Sequence, residues 1–289
     1  MRVTLAGYLS DHKGRVLLQR PSARSLEPVT CPLKPGEEPA TTLVSAFRAA
    51  TGLIVLPIRL VGVYTARGDE LTLTYRCTLR GGELATPAGQ PAAGFFDTQP
   101  PPRGLNAAHA RQLDDARHHD GGPARLALTA AGLAARLGRG PARESSASGV
   151  EWAATARLIA VAGDRVLWTR ADAAGPWRLP ARAVAAGDAP WQTAGALPRA
   201  LGLGHAVNPS LRLIVMAASR PAADRPALSF VFLATYGENE LTNGRGEHLL
   251  AAPAASQSQT NLDAGDAALA AEVLAAPAGT VARLGPARP

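Results

Sequence analysis

The sequence predicts an α+β chain made of two similar domains, and three observations lead there. Short runs of alternating or continuous apolar residues, bounded by Gly, Pro and Asp turns, read as strands, and they flank stretches with helical spacing. The pattern then returns. Gly14-Arg15-Val16-Leu17-Leu18-Gln19-Arg20 aligns with Asp164-Arg165-Val166-Leu167-Trp168-Thr169-Arg170, and Gly52 with Gly202, at one common offset. A repeat this long indicates duplicated domains, not a solenoid. Between the copies, residues 132–149 (GLAARLGRGPARESSASG) lack strand periodicity and read as a linker. The expected domains are therefore 1–131 and 150–289.

In chain order, Val3–Tyr8 and Arg15–Arg20 surround the polar turn Asp11-His12-Lys13-Gly14 and predict a β-hairpin. Gly36-Glu37-Glu38-Pro39 predicts a turn opening a helix, because acidic residues suit a helix start and Pro suits its first position. Leu43, Val44, Phe47 and Ala50 recur at helical spacing, and Gly52 supplies the stop. Ile58–Thr65 and Leu71–Leu79 predict strands joined by a loop at 66–70. Along the second, Tyr75 and Cys77 share one face and Arg76 takes the other. Gly94–Asp97 reads as a late strand before a Pro-rich turn, and Leu105–His119 as a closing helix ended by Gly121-Gly122-Pro123. In the second copy, Trp191–Gly202 predicts a helix that Pro198 weakens or kinks. Ala227–Tyr236 predicts a strong strand.

With 289 residues the chain has ample length for buried cores, and 46% hydrophobic with 18% charged residues fits a globular protein. Cys31 and Cys77 are too few for a disulfide framework. No apolar run has membrane-spanning length and Arg2–Leu9 is too short for a signal peptide, so a cytoplasmic protein with no membrane partner is expected. The net charge of +7 invites a nucleic-acid reading. Scattered arginines, only Lys13 and Lys34 as lysines, and 4% aromatic content argue against it.

The turn, helix and Gly-Leu stop of residues 32–53 resemble the Nudix box of the Nudix hydrolases, G-x5-E-x7-R-E-U-x-E-E-x-G-U. In an ungapped overlay Glu37 takes the first Glu, Ala46 the second, Ala49 and Ala50 the pair, Gly52 the last Gly and Leu53 the last aliphatic. Trp177-Arg178-Leu179-Pro180 is similar to the W-x-L-P lead-in of such a box, and the helix after it has Ala196, Arg199 and Ala200 at the carboxylate positions. The resemblance implies two tandem Nudix folds, each a mixed β-sheet between helices. It also implies that the carboxylates that would hold magnesium are gone, since Mg²⁺ takes oxygen ligands and alanine offers none. No cofactor is expected; magnesium belongs only to a reading in which Glu37, Glu38, Asp188 or the Asp69-Glu70 loop supplies replacement ligands.

The leading expectation is a repurposed protein acting on a small molecule, phosphorylated or natural-product-like, either as a metal-independent biosynthetic enzyme or as a ligand-binding pseudoenzyme. A regulatory docking module is the rival. Ala46, Ala49 and Ala50 offer a small apolar platform for a ligand, the other domain or a second copy of the chain. Against that stands the ordinary helix preference of alanine. Arg20, Arg170, Arg178 and Arg199 lie near the presumed clefts, where a guanidinium can grip phosphate, although most surface arginines are only solvated. The candidate acid/base groups are Glu37, Tyr75, Glu238 and His248, with Glu240 and Glu247 beside the last two. On the closing helix, Asp114 with His118 and Asp115 with His119 form i,i+4 pairs. These read as dipole-compensating ion pairs in preference to a metal site.

Overall fold

The computed structural model describes residues 1–34, 37–65, 70–128, 152–185, 187–202, 212–219, 227–237, 241, 248–253, 261–275 and 284–286. The expected linker lies outside them, as do Glu238, Glu240, Glu247 and Asp69. The chain divides into two compact units, Met1–Trp152 and Ala153–Pro289. Each is α+β, with mixed sheets packed against helices.

In the first unit, β1 (Arg2–Leu9), β4 (Val29–Pro32), β5 (Leu53–Thr65), β6 (Glu70–Gly82) and β8 (Arg125–Leu128) form a sheet in the order β4-β1-β6-β5-β8. β1 and β6 run parallel, with Gly7 opposite Tyr75, and β5 with β6 antiparallel. β2 (Val16–Ser22), β3 (Ser25–Glu27) and β7 (Ala92–Phe96) make a second, smaller sheet.

The expected β1–β2 hairpin is therefore corrected. Its turn closes, with the Asp11 N–H donating to the Arg15 carbonyl (2.9 Å), but only a Ser10–Val16 bridge joins the strands before they part into different sheets. Most of β1 is buried, as befits a central strand, and it takes β4 and β6 as neighbours instead.

Adjacent residues of β1 point to opposite faces, and each face carries a helix. On one, α1 (Pro39–Thr51) sets Phe47 and Leu43 directly over Gly7; a β-carbon there would stand 2.3 Å from the Phe47 ring. Glycine thus lets the helix approach the sheet closely. On the other, α2 (Ala107–His118) accepts the Tyr8 hydroxyl at the His109 carbonyl (3.0 Å) and packs Leu113 and Ala116 with Val16, Leu18, Leu26 and Val61.

α1 obeys the sequence signals: Glu38 is its N-cap, Pro39 its first residue, and Gly52 its C-cap at φ 73°. α2 is shorter than the expected 105–119, because Asn106 caps it at the His109 N–H (2.8 Å).

The second unit repeats this pairing scheme. β11 (Ala181–Ala183) lies antiparallel to β9 (Ala153–Ala162), β9 parallel to β13 (Ala227–Thr235), β13 antiparallel to β12 (Arg212–Ser219), and β12 parallel to β15 (Leu284–Pro286). Here β9 and β10 (Arg165–Thr169) do form a hairpin, and β10 pairs with β14 (His248–Ala251).

α4 (Ala264–Ala275) packs Ala267, Ala270 and Val273 onto Ile159, Val161, Val231 and Leu233. α3 (Pro190–Ala200) runs through Pro198. That proline sits in the last turn, so the hydrogen bond it forgoes falls where the helix is about to end. No described helix is long and apolar enough to cross a membrane.

Candidate functional site

The carboxylates at the start of α1 are already engaged by nearby donors. The Glu38 carboxylate accepts the N–H groups of Ala40 (3.1 Å) and Thr41 (2.6 Å) and the Thr41 hydroxyl (2.5 Å). It serves as a helix cap, satisfying donors that the helix leaves open. Glu37 accepts the Lys34 N–H (3.1 Å) and the Thr42 hydroxyl (3.3 Å), which pins the turn ahead of the helix. Glu70 is ion-paired with Arg2 at 2.5 Å.

At the three box positions Ala46 is half-buried, Ala49 exposed and Ala50 buried, so the platform does not lie open as one surface. Among the described residues, no three His, Cys, Asp or Glu side chains converge as a metal cage would.

Tyr75, on the same face of β6 as Leu73 and Cys77, is buried with no hydrogen-bond partner for its hydroxyl among the described residues. Burial, reinforced by the Glu38 charge, pushes its pKa up. A phenol held this firmly in its protonated form is a poor general base. Burial likewise pushes the Cys31 thiol to about 11, with the Glu37 charge adding to it, and the Cys77 thiol to about 12, which favours the protonated thiol over the nucleophilic thiolate at neutral pH.

On α2, Asp114 and His118 pair as expected at 2.9 Å. Asp115 does not pair with His119. It turns inward, accepts the Tyr64 hydroxyl (2.5 Å) and meets Arg125 Nε (3.1 Å), because a buried carboxylate needs donors close at hand.

The second unit brings several expected residues together. Thr169, at the end of β10, bridges to Arg178 on one side and lies opposite His248 of β14 on the other. Arg170 stacks over the Trp177 ring at 4.5 Å and donates to the Ala173 carbonyl (2.7 Å). Arg178 lies 3.6 Å from Asp263. At this end of the unit the Arg170 guanidinium thus stacks on an indole, while Arg178 is directed toward Asp263. Arg199 is exposed on α3 with Ala196 and Ala200. Arg20 is exposed on β2 of the first unit, over the Phe96 ring at 5.5 Å.

Sequence reasoning missed the groups that hold this end in place. Asp266, buried in the first turn of α4, pairs with Arg157 and accepts the Leu179 N–H (2.9 Å). Asp263 caps the same helix through the Asp266 N–H (3.0 Å). Together they fix the Trp177–Pro180 segment against α4. The available signal was Asp263-x-x-Asp266 ahead of an Ala-rich run, a helix-start pattern.

Comparison with solved structures finds an ADP-ribose pyrophosphatase from Streptococcus suis at 16% identity, with a TM-score of 0.38 over 44% of this chain and 98% of that one. It also finds a UDP-X diphosphatase at 14% (TM-score 0.38, 43% of this chain and 66% of that one) and a Nudix hydrolase from Nitrosomonas europaea at 15% (TM-score 0.38, 44% and 78%). No protein-family model and no curated protein matches the sequence.

Proposed function

We propose that this chain is a tandem Nudix-derived protein that binds a small, phosphorylated molecule without magnesium at its box helices. One observation carries the reading. In the first box the carboxylates nearest the helix are engaged by backbone and hydroxyl donors, while the positions that would hold the ion are Ala46, Ala49 and Ala50. The second box has Ala196, Arg199 and Ala200 there. The repeated strand pairing supports a duplicated fold, and the Arg170, Trp177 and Arg178 grouping supports recognition of a ring that carries phosphate.

Binding is the retained role, and turnover by groups other than a metal would be an elaboration of it. The test is a thermal-shift screen of the full chain against nucleotides, sugar nucleotides and phosphorylated metabolites, run with magnesium and with EDTA. A stabilising ligand whose effect is the same in both conditions is expected, and Trp177→Ala should abolish that effect. Stabilisation that disappears with EDTA would contradict the reading.

A further inference from the structure

Arg59 of β5 and Arg76 of β6 stand directly opposite each other across the antiparallel pair. Like charges in that position repel. Neither has an ion pair or hydrogen bond among the described residues to offset the cost. Both lie on the sheet face that carries α2, since Arg76 alternates with Tyr75 and Cys77, which share the α1 face with Gly7.

The Arg59 guanidinium is tucked under the turn that follows α2: a β-carbon on Gly121 would meet its Nη1 at 2.6 Å. That turn is built around His119. Its Nδ1 accepts the Gly121 N–H (3.1 Å), which leaves the proton of the neutral ring on Nε2. Nε2 is buried and makes no hydrogen bond of ordinary geometry, although the Pro123 carbonyl lies near enough to the ring to favour its protonated form. Asp120, the next residue along the chain, accepts the Gly122 N–H with its carboxylate (2.9 Å).

Two fixed cations without acceptors, and an imidazole N–H with only the Pro123 carbonyl near it, therefore lie at one end of the sheet. We infer that Arg59, Arg76 and His119 form a binding site for the dianion of a phosphate monoester, with the two guanidinium groups gripping its oxygens and Nε2 of His119 donating a third bond. The dianion is the better guest because it supplies several acceptors and enough charge to relieve the repulsion between the arginines. This site lies on the face away from α1, uses none of the residues of the box or of the second unit, and stands apart from the function proposed above.

The same surroundings hold the His119 pKa below its usual range: burial first, then the charge of Arg59 and, least, that of Arg76, against the opposing pull of Asp120 and of the Pro123 carbonyl. A bound dianion would reverse the electrostatic part, so the ring should titrate at higher pH when the site is filled.

The experiment is a titration of the full chain with inorganic phosphate in Hepes at constant ionic strength. It is followed by thermal shift and by the His119 ring proton in NMR, with dimethyl phosphate as a monoanionic control. Saturable stabilisation and an upward shift of the His119 pKa are expected for the wild type. Arg59→Gln and Arg76→Gln should each weaken phosphate binding by roughly tenfold or more, the loss of one charge-assisted contact. Without phosphate, Arg76→Gln should melt no lower than the wild type, since it removes a repulsion from an exposed position; this keeps a loss of binding distinct from a loss of folding. Equal stabilisation of wild type and variants, no saturation, or dimethyl phosphate binding as tightly as phosphate would each overturn the assignment.

Discussion

Replacing Phe47 by alanine is expected to destabilise the first unit by about 3–5 kcal/mol, the range for losing a fully buried aromatic ring. The ring has no exposure and fills the space over Gly7, where α1 comes closest to the sheet. Hydrogen exchange of the β1 and β6 amides would report the loss as a lower opening free energy in those strands, while the strands of the second unit keep theirs.

Gly7→Ala makes the same point from the other side. Its β-carbon would stand 2.3 Å from the ring, so in the wild type it must displace the helix. Combined with Phe47→Ala it should cost much less than it does alone. Non-additivity of that kind is the signature of two residues sharing one space. Additive losses would mean that α1 does not rest on Gly7.

The second large effect is expected from Asp266→Ala. Removing the carboxylate leaves the Leu179 N–H buried without an acceptor and Arg157 without its partner. A broken buried pair costs about 3–5 kcal/mol, and the low end applies because the Arg157 side chain remains 37% exposed. The loss should appear as unfolding of the second unit at lower urea concentration, followed through the tryptophans beside and beneath this contact, Trp177 and Trp168.

pH dependence separates the roles of the charge and of the hydrogen bonds. Burial holds the Asp266 carboxyl above its usual range, ahead of the opposing influence of Arg157. A carboxyl whose folded pKa exceeds its unfolded value contributes stability that is fully present below the unfolded pKa and is lost as pH rises through the folded one. Asp266→Asn should therefore flatten the fall of stability as pH rises above the ordinary carboxylate range and, by keeping an acceptor for the Leu179 N–H, should cost less than alanine at neutral pH.

Much of this was legible in the sequence where the determining residues are neighbours. Glu38, Pro39 and Gly52 mark the ends of α1, and the cap and the left-handed glycine appear there because capping is settled within one turn of the chain. The face shared by Tyr75 and Cys77 follows from strand alternation alone.

What escaped was set by partners far away in sequence. β1 and β2 look like a hairpin locally, yet β1 is claimed by β6, with Gly7 opposite Tyr75. Asp115 sits four residues before His119 but bonds to Tyr64 and Arg125 instead. Arg157 and Asp266 carry no local signal of their pairing, because one lies on a strand and the other in the first turn of the last described helix. The grouping of Arg170 with Trp177 and Arg178 needed the Thr169–Arg178 bridge, which no spacing rule supplies.

If the helices Pro39–Thr51 and Pro190–Ala200 have given up the divalent ion, as proposed, turnover measured against magnesium will reveal it. The full chain, freed of metal and then titrated with Mg²⁺ or Mn²⁺ in the presence of nucleoside diphosphate compounds, should release no phosphate or nucleoside monophosphate above the rate without protein. Hydrolysis that rises and saturates with added metal, and is lost when Glu37 or Glu38 is changed to Gln, would contradict the account. It would show that carboxylates assigned here to capping and turn formation hold the ion after all.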